Sequence, residues 1–276
     1  MKSINCNGTL IDLSLPKVMG ILNITPDSFF DGGNYNNPIA ILNHVEKMLN
    51  EGATFIDVGG YSSRPGAKHI SEEEELARIL PVIKLLQKEF SKLFISIDTF
   101  RSIVAKQCID LGACMINDIS GGNLDTSMFG TVANLQVPYI MMHMQGTPQN
   151  MQNKPAYSNV VKEILASFSE KITTLRSLGV NDIITDVGFG FGKILEQNYE
   201  LLQHLDLFKK LEVPTLVGLS RKSMLFKPLK INQNNALNAT TAANTIALLN
   251  GASILRVHDV KEAIETIKIV ELLPTK

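Results

Sequence analysis

Polar and charged residues stand where the apolar runs of this 276-residue chain end. The first clear run, KVMGIL, stops at an amide, Asn23, and eight other positions repeat the pattern. Taken singly, each has an ordinary reading, because Asp or Asn after a strand commonly caps the next helix. Together they indicate one site built from many strands. They are Asn23, Asp57, Asp98, Asn117, His143, Asp186, Lys222, Arg256 and His258.

Three of these residues are acceptors suited to a flat heterocycle. Asp98, Asn117 and Asp186 can take N–H donors from a ring. A buried carboxylate that faces a ring N–H and an adjacent amino group makes a paired, charge-assisted contact. This half of the set predicts a pocket for a polar aromatic ring.

A second group of residues, which includes Arg64 from a loop, consists of donors suited to phosphate or pyrophosphate. Asn23 adds a neutral oxygen, which can complete the shell of a phosphate-bound Mg²⁺ that keeps several waters. The set therefore predicts a Mg²⁺-bound pyrophosphate beside the ring. The donors are Arg64, Lys222, Arg256 and His258.

The elements that must position these side chains alternate regularly. Short apolar runs are separated by amphipathic stretches, which predicts an α/β protein with eight strands, each followed by a helix. Eight such units in about 250 residues predict a (β/α)₈ TIM barrel, whose strand exits meet at one rim. A doubly wound open sheet is the alternative. The predicted strands are 17–22, 54–58, 93–97, 113–117, 137–142, 182–187, 213–218 and 252–257.

Local signals define several helices and the amino terminus. Ser71 and Glu74 stand in capping-box register at the start of a helix, and Pro81 is expected to kink it. Shorter patterns predict helices over 101–111 and 125–134. Residues 1–15 are expected to form a short hairpin or cap. No linker divides the chain, so residues 1–276 are expected to form one domain.

Composition narrows the class of partner. The net charge is −1, from 26 basic and 27 acidic residues, so no global field attracts nucleic acid or a membrane surface. The amino terminus lacks an apolar signal region, and no run reaches the roughly 18 apolar residues of a membrane span. Three cysteines have no metal-type spacing, and Cys108 and Cys114 are expected to be buried. We expect a cytoplasmic protein that binds small molecules.

The glycine-rich run DVGFGFGK leaves its own role open. Its spacing fits neither the dinucleotide fingerprint nor the P-loop, since Ile194 rather than Ser or Thr follows Lys193. The glycines are expected to shape a loop that positions Phe189 and Phe191. Whether Phe191 stacks on a ligand or belongs to an ordinary loop stays open here.

Seven segments from about residue 17 to about 260 resemble the dihydropteroate synthase family, in that family's order. One alone would be weak evidence, but seven in order are specific. They are MGILNITPDSFFDGG, DVGGYSSRPGA, SIDTF, INDISGG, DVGFGFGK, GLSRKSML and LRVHDV.

The resemblance implies a (β/α)₈ barrel that makes 7,8-dihydropteroate and pyrophosphate from 6-hydroxymethyl-7,8-dihydropterin pyrophosphate and para-aminobenzoate. It implies Mg²⁺, a homodimer, sulfonamide binding, and a loop after Asn23 that closes over the site. The implied pterin residues are Asp98, Asn117, Met142, Asp186 and Lys222. The implied pyrophosphate residues are Asn23, Arg64, Arg256 and His258, with Asn23 on the metal. The implied aminobenzoate residues are Ser63, Phe191 and Ser220. The implied catalytic residues are Asp98, Lys222 and Arg256.

The chain departs from the family pattern at two positions. Tyr61 stands where the family commonly has Glu, and Val187 stands where Pro often follows the aspartate. Two other functions stay open: a pterin-binding methyltransferase, which has no pyrophosphate to release, and a catalytically silent pterin-binding paralogue. Lys222 could also be read as the Schiff-base lysine of an aldolase-like barrel, although the SRKS setting fits this less well.

Overall fold

A β-hairpin precedes the main body of the molecule, as the sequence predicts. The structure, a computed structural model, describes residues 3–25, 37–63, 68–151 and 155–274. Strands β1 (Ser3–Cys6) and β2 (Thr9–Asp12) pair antiparallel. Asn7 and Gly8 form the turn, with φ of 50° and 82°, a left-handed conformation that tight hairpins require.

Within the described residues, eight parallel strands close into a barrel in the order β10-β3-β4-β5-β6-β7-β8-β9. Closure confirms the TIM barrel and rules out the open sheet. Seven of the eight strands begin one or two residues later than predicted. At β7 and β9 the reason is local, because Pro138 and Pro214 precede these strands and proline has no N–H to donate. The strands are β3 (Lys17–Asn23), β4 (Phe55–Gly59), β5 (Phe94–Asp98), β6 (Met115–Asp118), β7 (Tyr139–Met142), β8 (Ile183–Asp186), β9 (Thr215–Val217) and β10 (Ile254–Val257).

Helices follow the barrel strands and pack on the outside of the barrel. Among the described residues, no helix has both the length and the apolar character needed to cross a membrane. Short 3₁₀ helices cover Leu205–Leu211 and Gln233–Asn235. The α-helices are α1 (Pro38–Asn50), α2 (Glu72–Glu89), α3 (Ser102–Asp110), α4 (Met128–Leu135), α5 (Val160–Ser177), α6 (Leu195–Gln203), α7 (Ser223–Phe226), α8 (Leu237–Leu249) and α9 (Val260–Glu271).

Side-chain hydrogen bonds account for where helices α2 and α4 begin. Ser71 caps α2 by accepting the N–H of Glu74 at 3.2 Å, and α2 continues through Pro81 as one helix. Helix α4 begins three residues later than the predicted 125. The carboxylate of Asp125 accepts the N–H groups of Ser102 and Ser127 instead, which holds a turn ahead of the helix.

The hairpin closes the amino end of the barrel with apolar side chains. The N–H of Asn5 donates to Asp182 at 2.9 Å, and the amide of Asn7 donates to the carbonyl of Gly112 at 3.0 Å. All three cysteines are buried, which confirms the prediction for Cys108 and Cys114. The core at this end consists of Ile4, Cys6, Leu13, Met19, Phe55, Cys114, Met115, Ile140, Ile184, Leu216 and Ile254.

Candidate active site

Asp57 is the centre of a hydrogen-bonded network at the carboxyl end of the barrel. Its side chain is fully buried, and its Oδ2 accepts Arg256 Nε at 2.6 Å and Asn117 Nδ2 at 2.9 Å. Arg256 Nη2 donates to Asp98 Oδ2 at 2.7 Å. The network joins β4, β5, β6 and β10, and thereby places three predicted residues, Asp98, Asn117 and Arg256, within one cluster.

Two carboxylates share one guanidinium in this network. Burial raises the pKa of Asp98 to about 7, and the neighbouring Asp57 adds to the rise while Arg256 opposes it. Burial would lower the pKa of Arg256, but the two carboxylates raise it further still, so the guanidinium stays charged. Burial beside a second acid thus favours the protonated form of Asp98.

Asp186 and Lys222 lie on the neighbouring strand exits. Asp186 Oδ1 accepts the N–H of Gly188 at 2.8 Å, and burial raises the pKa of Asp186 against the field of Lys222. Burial lowers the pKa of Lys222 to about 8, which the charge of Asp186 partly offsets. Lys222 Nζ donates to the carbonyl of Phe189 and lies 4.7 Å from the ring centre of Phe191.

Ser220 and His258 form a second pair beside Lys222. Ser220 Oγ lies 3.0 Å from His258 Nδ1 and accepts the N–H of His258 at 3.2 Å. The adjoining residues form a buried ion pair, in which Arg221 donates to both carboxylate oxygens of Asp259, at 2.9 and 2.6 Å. These bonds fix the loop after β9 against the end of β10.

Asn23 ends β3 and faces the acidic cluster across a glycine. It pairs with Gly59, which in turn pairs with Asp98. A Cβ at Gly59 would lie 3.4 Å from Asp98 Cβ and 3.7 Å from Asn23 Oδ1. Glycine therefore keeps the space between the amide and the carboxylate open.

An apolar cluster lies beside these polar groups. It contains Met142, which is buried at the end of β7, and Phe191 packs against it. Phe189, by contrast, is fully buried in the core outside the barrel strands. Of the two aromatic residues in the glycine-rich run, only Phe191 reaches the apolar cluster. The buried members of the cluster are Tyr61, Ile70, Phe100, Ile119, Met142, Met144 and Met151.

The glycine-rich loop is held by a buried lysine that the sequence reading did not select. Lys193 Nζ donates to the carbonyls of His143, Gly188 and Phe191 at 3.2, 2.9 and 2.8 Å. Burial lowers the pKa of Lys193 to about 7. Gly188 has φ of +69°, and a Cβ there would collide with the carbonyl of His143. Lys193 thus joins the loops after β7 and β8.

His143 has a structural rather than a chemical setting. Its ring lies 6.0 Å from the ring of Tyr157 and 6.3 Å from that of Phe168, centre to centre. Burial lowers the pKa of His143 to about 3, so the ring is neutral. The structure therefore favours a packing role for His143 over a catalytic one.

Some predicted positions cannot be compared with the structure. Arg64 lies outside the described residues, and so do residues 26–36, which include most of the loop expected to close over the site. Ser63 is described and lies half-buried in the loop after β4.

A family model and curated relatives agree on one family. The model described as "Pterin binding enzyme" matches residues 19–258. The dihydropteroate synthase of Escherichia coli K12 is 44% identical over 266 residues, which cover 96% of this chain and 94% of that protein. The chain belongs to the dihydropteroate synthase family of pterin-binding enzymes. The corresponding protein of Haemophilus influenzae is 42% identical over 265 residues, covering 95% of this chain and 96% of its own length.

Solved dihydropteroate synthase structures share this fold. A Yersinia pestis enzyme in complex with a sulfonamide drug superposes with a TM-score of 0.92 at 43% identity and covers 98% of each chain. A Xanthomonas albilineans enzyme with 4-aminobenzoic acid gives a TM-score of 0.91 at 36% identity and covers 99% of each chain.

Sequence reasoning placed Asp57 among the polar strand exits of this dihydropteroate synthase family member but gave it no binding or catalytic role. Asp57 had the same signal as the residues that were chosen, a carboxylate near a strand exit. Its partner Arg256 lies 199 positions away. No local spacing predicts that contact, so the barrel closure was needed to show it.

Proposed function

We propose that the chain is the transferase of folate biosynthesis that condenses 6-hydroxymethyl-7,8-dihydropterin pyrophosphate with para-aminobenzoate. The products are 7,8-dihydropteroate and pyrophosphate. One observation carries the proposal: buried or half-buried acceptors and half-buried cations converge at one barrel rim, in a chain of this family. The acceptors are Asp57, Asp98, Asn117 and Asp186, and the cations are Lys222 and Arg256.

The pterin pocket is assigned to the strand ends. Asp98, Asn117 and Asp186 supply acceptors for the N–H groups of the ring, and Lys222 supplies a donor for its carbonyl side. Met142 forms an apolar wall, since it is buried within the cluster that Phe191 contacts. Apart from Lys222, which caps α7 in the loop after β9, these groups stand on strands, so most of the pocket is formed before the ligand arrives.

The pyrophosphate is assigned to Asn23, Arg64, Arg256 and His258. Two N–H groups of Arg256 donate to Asp57 and Asp98, and a guanidinium has five such groups in all, so donors remain for an oxyanion. Among the described residues, no cluster of three or more acidic, histidine or cysteine side chains could cage a metal. Mg²⁺ commonly keeps waters and substrate phosphates as ligands. Gly59 places no side chain between Asn23 and Asp98, which supports a metal carried by the substrate at this point.

The aminobenzoate is assigned to Ser63, Phe191 and Ser220. Phe191 offers a ring face at the rim, and Ser220 is held by His258. Ser63 and Phe191 stand on loops rather than strands, so this half of the site depends on loop order.

The reaction breaks one bond and forms another at the same carbon. The C–O bond between the exocyclic methylene of the pterin and the pyrophosphate breaks, and pyrophosphate leaves with the electron pair. The arylamine nitrogen forms the new C–N bond and then loses a proton to solvent. Arg256 stabilises the negative charge on the leaving group, and Lys222 and Asp98 hold the ring in place. Mg²⁺, when bound, supplies further neutralisation of that charge. No nucleophilic side chain is required, which disfavours the Schiff-base reading of Lys222.

A coupled assay tests the proposal against its rivals. Pyrophosphate release that depends on both substrates, with dihydropteroate identified by mass, is the expected result. Methyl transfer without pyrophosphate release would indicate the methyltransferase. Pterin binding without turnover would indicate the silent paralogue.

Adding a chelator tests Mg²⁺ separately: it should abolish turnover and weaken pyrophosphate binding in calorimetry. Full activity and unchanged binding would contradict the metal assignment.

We also propose a cytoplasmic homodimer. Apolar side chains exposed on the last two helices support an interface between copies, because such faces are normally covered. Sedimentation equilibrium tests the dimer directly. The exposed residues are Ile246 and Leu249 on α8, and Ile269 and Leu272 on and just after α9.

A further inference from the structure

Tyr61, which stands where the family commonly has glutamate, joins two loops above the barrel. It lies just after β4, and its side chain is buried, with 7% of its surface exposed. Its hydroxyl lies 2.6 Å from Gln149 Nε2, in the loop after β7, and 3.1 Å from His69 Nδ1, at the far side of its own loop. One hydroxyl therefore links three points of the chain.

The hydrogen-bond roles at this hydroxyl are fixed by elementary chemistry. The Nε2 amide of Gln149 can only donate, so the hydroxyl oxygen accepts there. The hydroxyl hydrogen is then free to donate to His69 Nδ1, which requires that ring to carry its proton on Nε2. Both bonds belong to the hydroxyl group, so phenylalanine would lose both.

The ring of Tyr61 is fixed independently of its hydroxyl. It meets Phe100 edge to face, with ring centres 5.0 Å apart and planes at 87°. The guanidinium of Arg101 lies 5.5 Å from the centre of the Tyr61 ring. Arg101 also donates to the carbonyls of Ile70 and Ser71, at 2.6 and 3.2 Å. The aromatic packing thus extends to the end of the loop that begins at Tyr61.

We propose that Tyr61 is a positioning residue for the second substrate. Its hydroxyl ties the loop after β4 to the loop after β7, and its ring anchors the start of the first loop. Ser63 follows two residues later, between the Tyr61 and His69 anchors. The role rests on the proposed function, because Ser63 is assigned to the aminobenzoate. The pterin pocket stands on strand ends and does not depend on this link.

The kinetic test uses Tyr61→Phe, which keeps the ring and removes the hydroxyl. We expect the KM for para-aminobenzoate to rise about tenfold, the scale of one or two lost hydrogen bonds. The Kd for a pterin ligand should stay within about twofold by the same argument. The matched control is Tyr139→Phe. This variant removes a buried hydrogen bond of 2.7 Å that the hydroxyl of Tyr139, on β7, donates to Asp118, on β6. That variant should lose stability without a change in the KM. An unchanged KM in Tyr61→Phe would overturn the proposal.

Hydrogen exchange on the free protein tests the link without any catalysis. Tyr61→Phe should speed exchange in residues 61–63, 68–70 and 145–151, while residues 115–118 stay protected. Gln149→Leu should raise exchange in the same segments, and the double variant should add less than the sum, as expected for partners in one contact. Unchanged exchange in Tyr61→Phe would overturn the link. If exchange responds as expected but the wild-type chain makes no dihydropteroate, the proposed function fails while the link stands.

Discussion

The two ends of this barrel are built from the same strands and have opposite chemistry. On β4 the inward positions run from Phe55 to Asp57 to Gly59, and on β5 they run from Phe94 to Ser96 to Asp98. Residues two apart on a strand share a face, so each strand passes from apolar to polar within five residues. The amino end meets the hairpin, whereas in the described part of the chain the loops that follow the strands border the carboxyl end.

The amino end of the barrel contributes mainly to stability, and the carboxyl end contributes mainly to binding. At the amino end, apolar side chains fill the barrel and the hairpin covers them. At the carboxyl end, carboxylates and cations that are largely withdrawn from solvent remain close together, an arrangement that is costly unless a ligand or a partner uses it. Substitutions at the first end should therefore change folding, and substitutions at the second should change binding.

The largest expected effect is at the amino end. Phe55→Ala removes a fully buried ring beneath the hairpin and should lower the free energy of unfolding by about 3–5 kcal/mol. Urea denaturation measures it. The variant, while folded, should keep pterin affinity within about twofold, since the ring lies at the amino end. A loss below about 1 kcal/mol, or a large loss of affinity in folded protein, would remove the distinction between the two ends.

The next effect is at the carboxyl end. Asp186→Asn replaces a carboxylate, which only accepts hydrogen bonds, with an amide whose NH₂ group would face the N–H donors of the pterin. Pterin binding should therefore weaken by about 2–4 kcal/mol. Calorimetry measures the affinity, and circular dichroism at the same temperature controls for folding. Unchanged affinity would move the pterin pocket away from β8.

A smaller effect is expected at Asp57. Asp57→Asn removes the charge that holds Arg256 Nε, so Arg256 should turn more fully to Asp98 and compete with the ligand. Pterin affinity should fall by about 1–2 kcal/mol, the scale of one charge-assisted bond. The control is Asp110→Asn, which removes a carboxylate from an exposed pair with Lys106. Equal affinities in wild type and Asp57→Asn would show that Asp57 supports the fold alone.

The last effect is a pH dependence of stability. Burial raises the pKa of Asp98 to about 7 in the folded protein, above its ordinary value of 3.8. The folded state therefore holds a proton that the unfolded state releases, and this contribution is complete below pH 3.8 and lost as pH rises through 7. The free energy of unfolding of the wild type should therefore decline relative to that of Asp98→Asn as the pH rises over that range. Parallel curves of unfolding free energy against pH for the wild type and Asp98→Asn would contradict this expectation.

The barrel could be predicted from the sequence because the patterns that indicate it are local. Alternation of apolar runs and helical stretches needs no distant contact, and polar strand exits identify a rim once eight strands are counted. The pairing of Arg256 with Asp57 is different, since it joins the second barrel strand to the last. Lys193 resembled a loop lysine, and only folding brings three carbonyls around it. Arg64 and residues 26–36 lie outside the described residues, so their predictions stay as predictions.

We propose that the carboxyl rim binds the pterin and the pyrophosphate together. A crystal structure of the chain with a pterin, pyrophosphate and Mg²⁺ tests this binding most directly. We expect ring density against Asp98, Asn117 and Asp186, and pyrophosphate density near Asn23 and Arg256. A well-ordered pterin bound elsewhere, with no density at the rim, would contradict it.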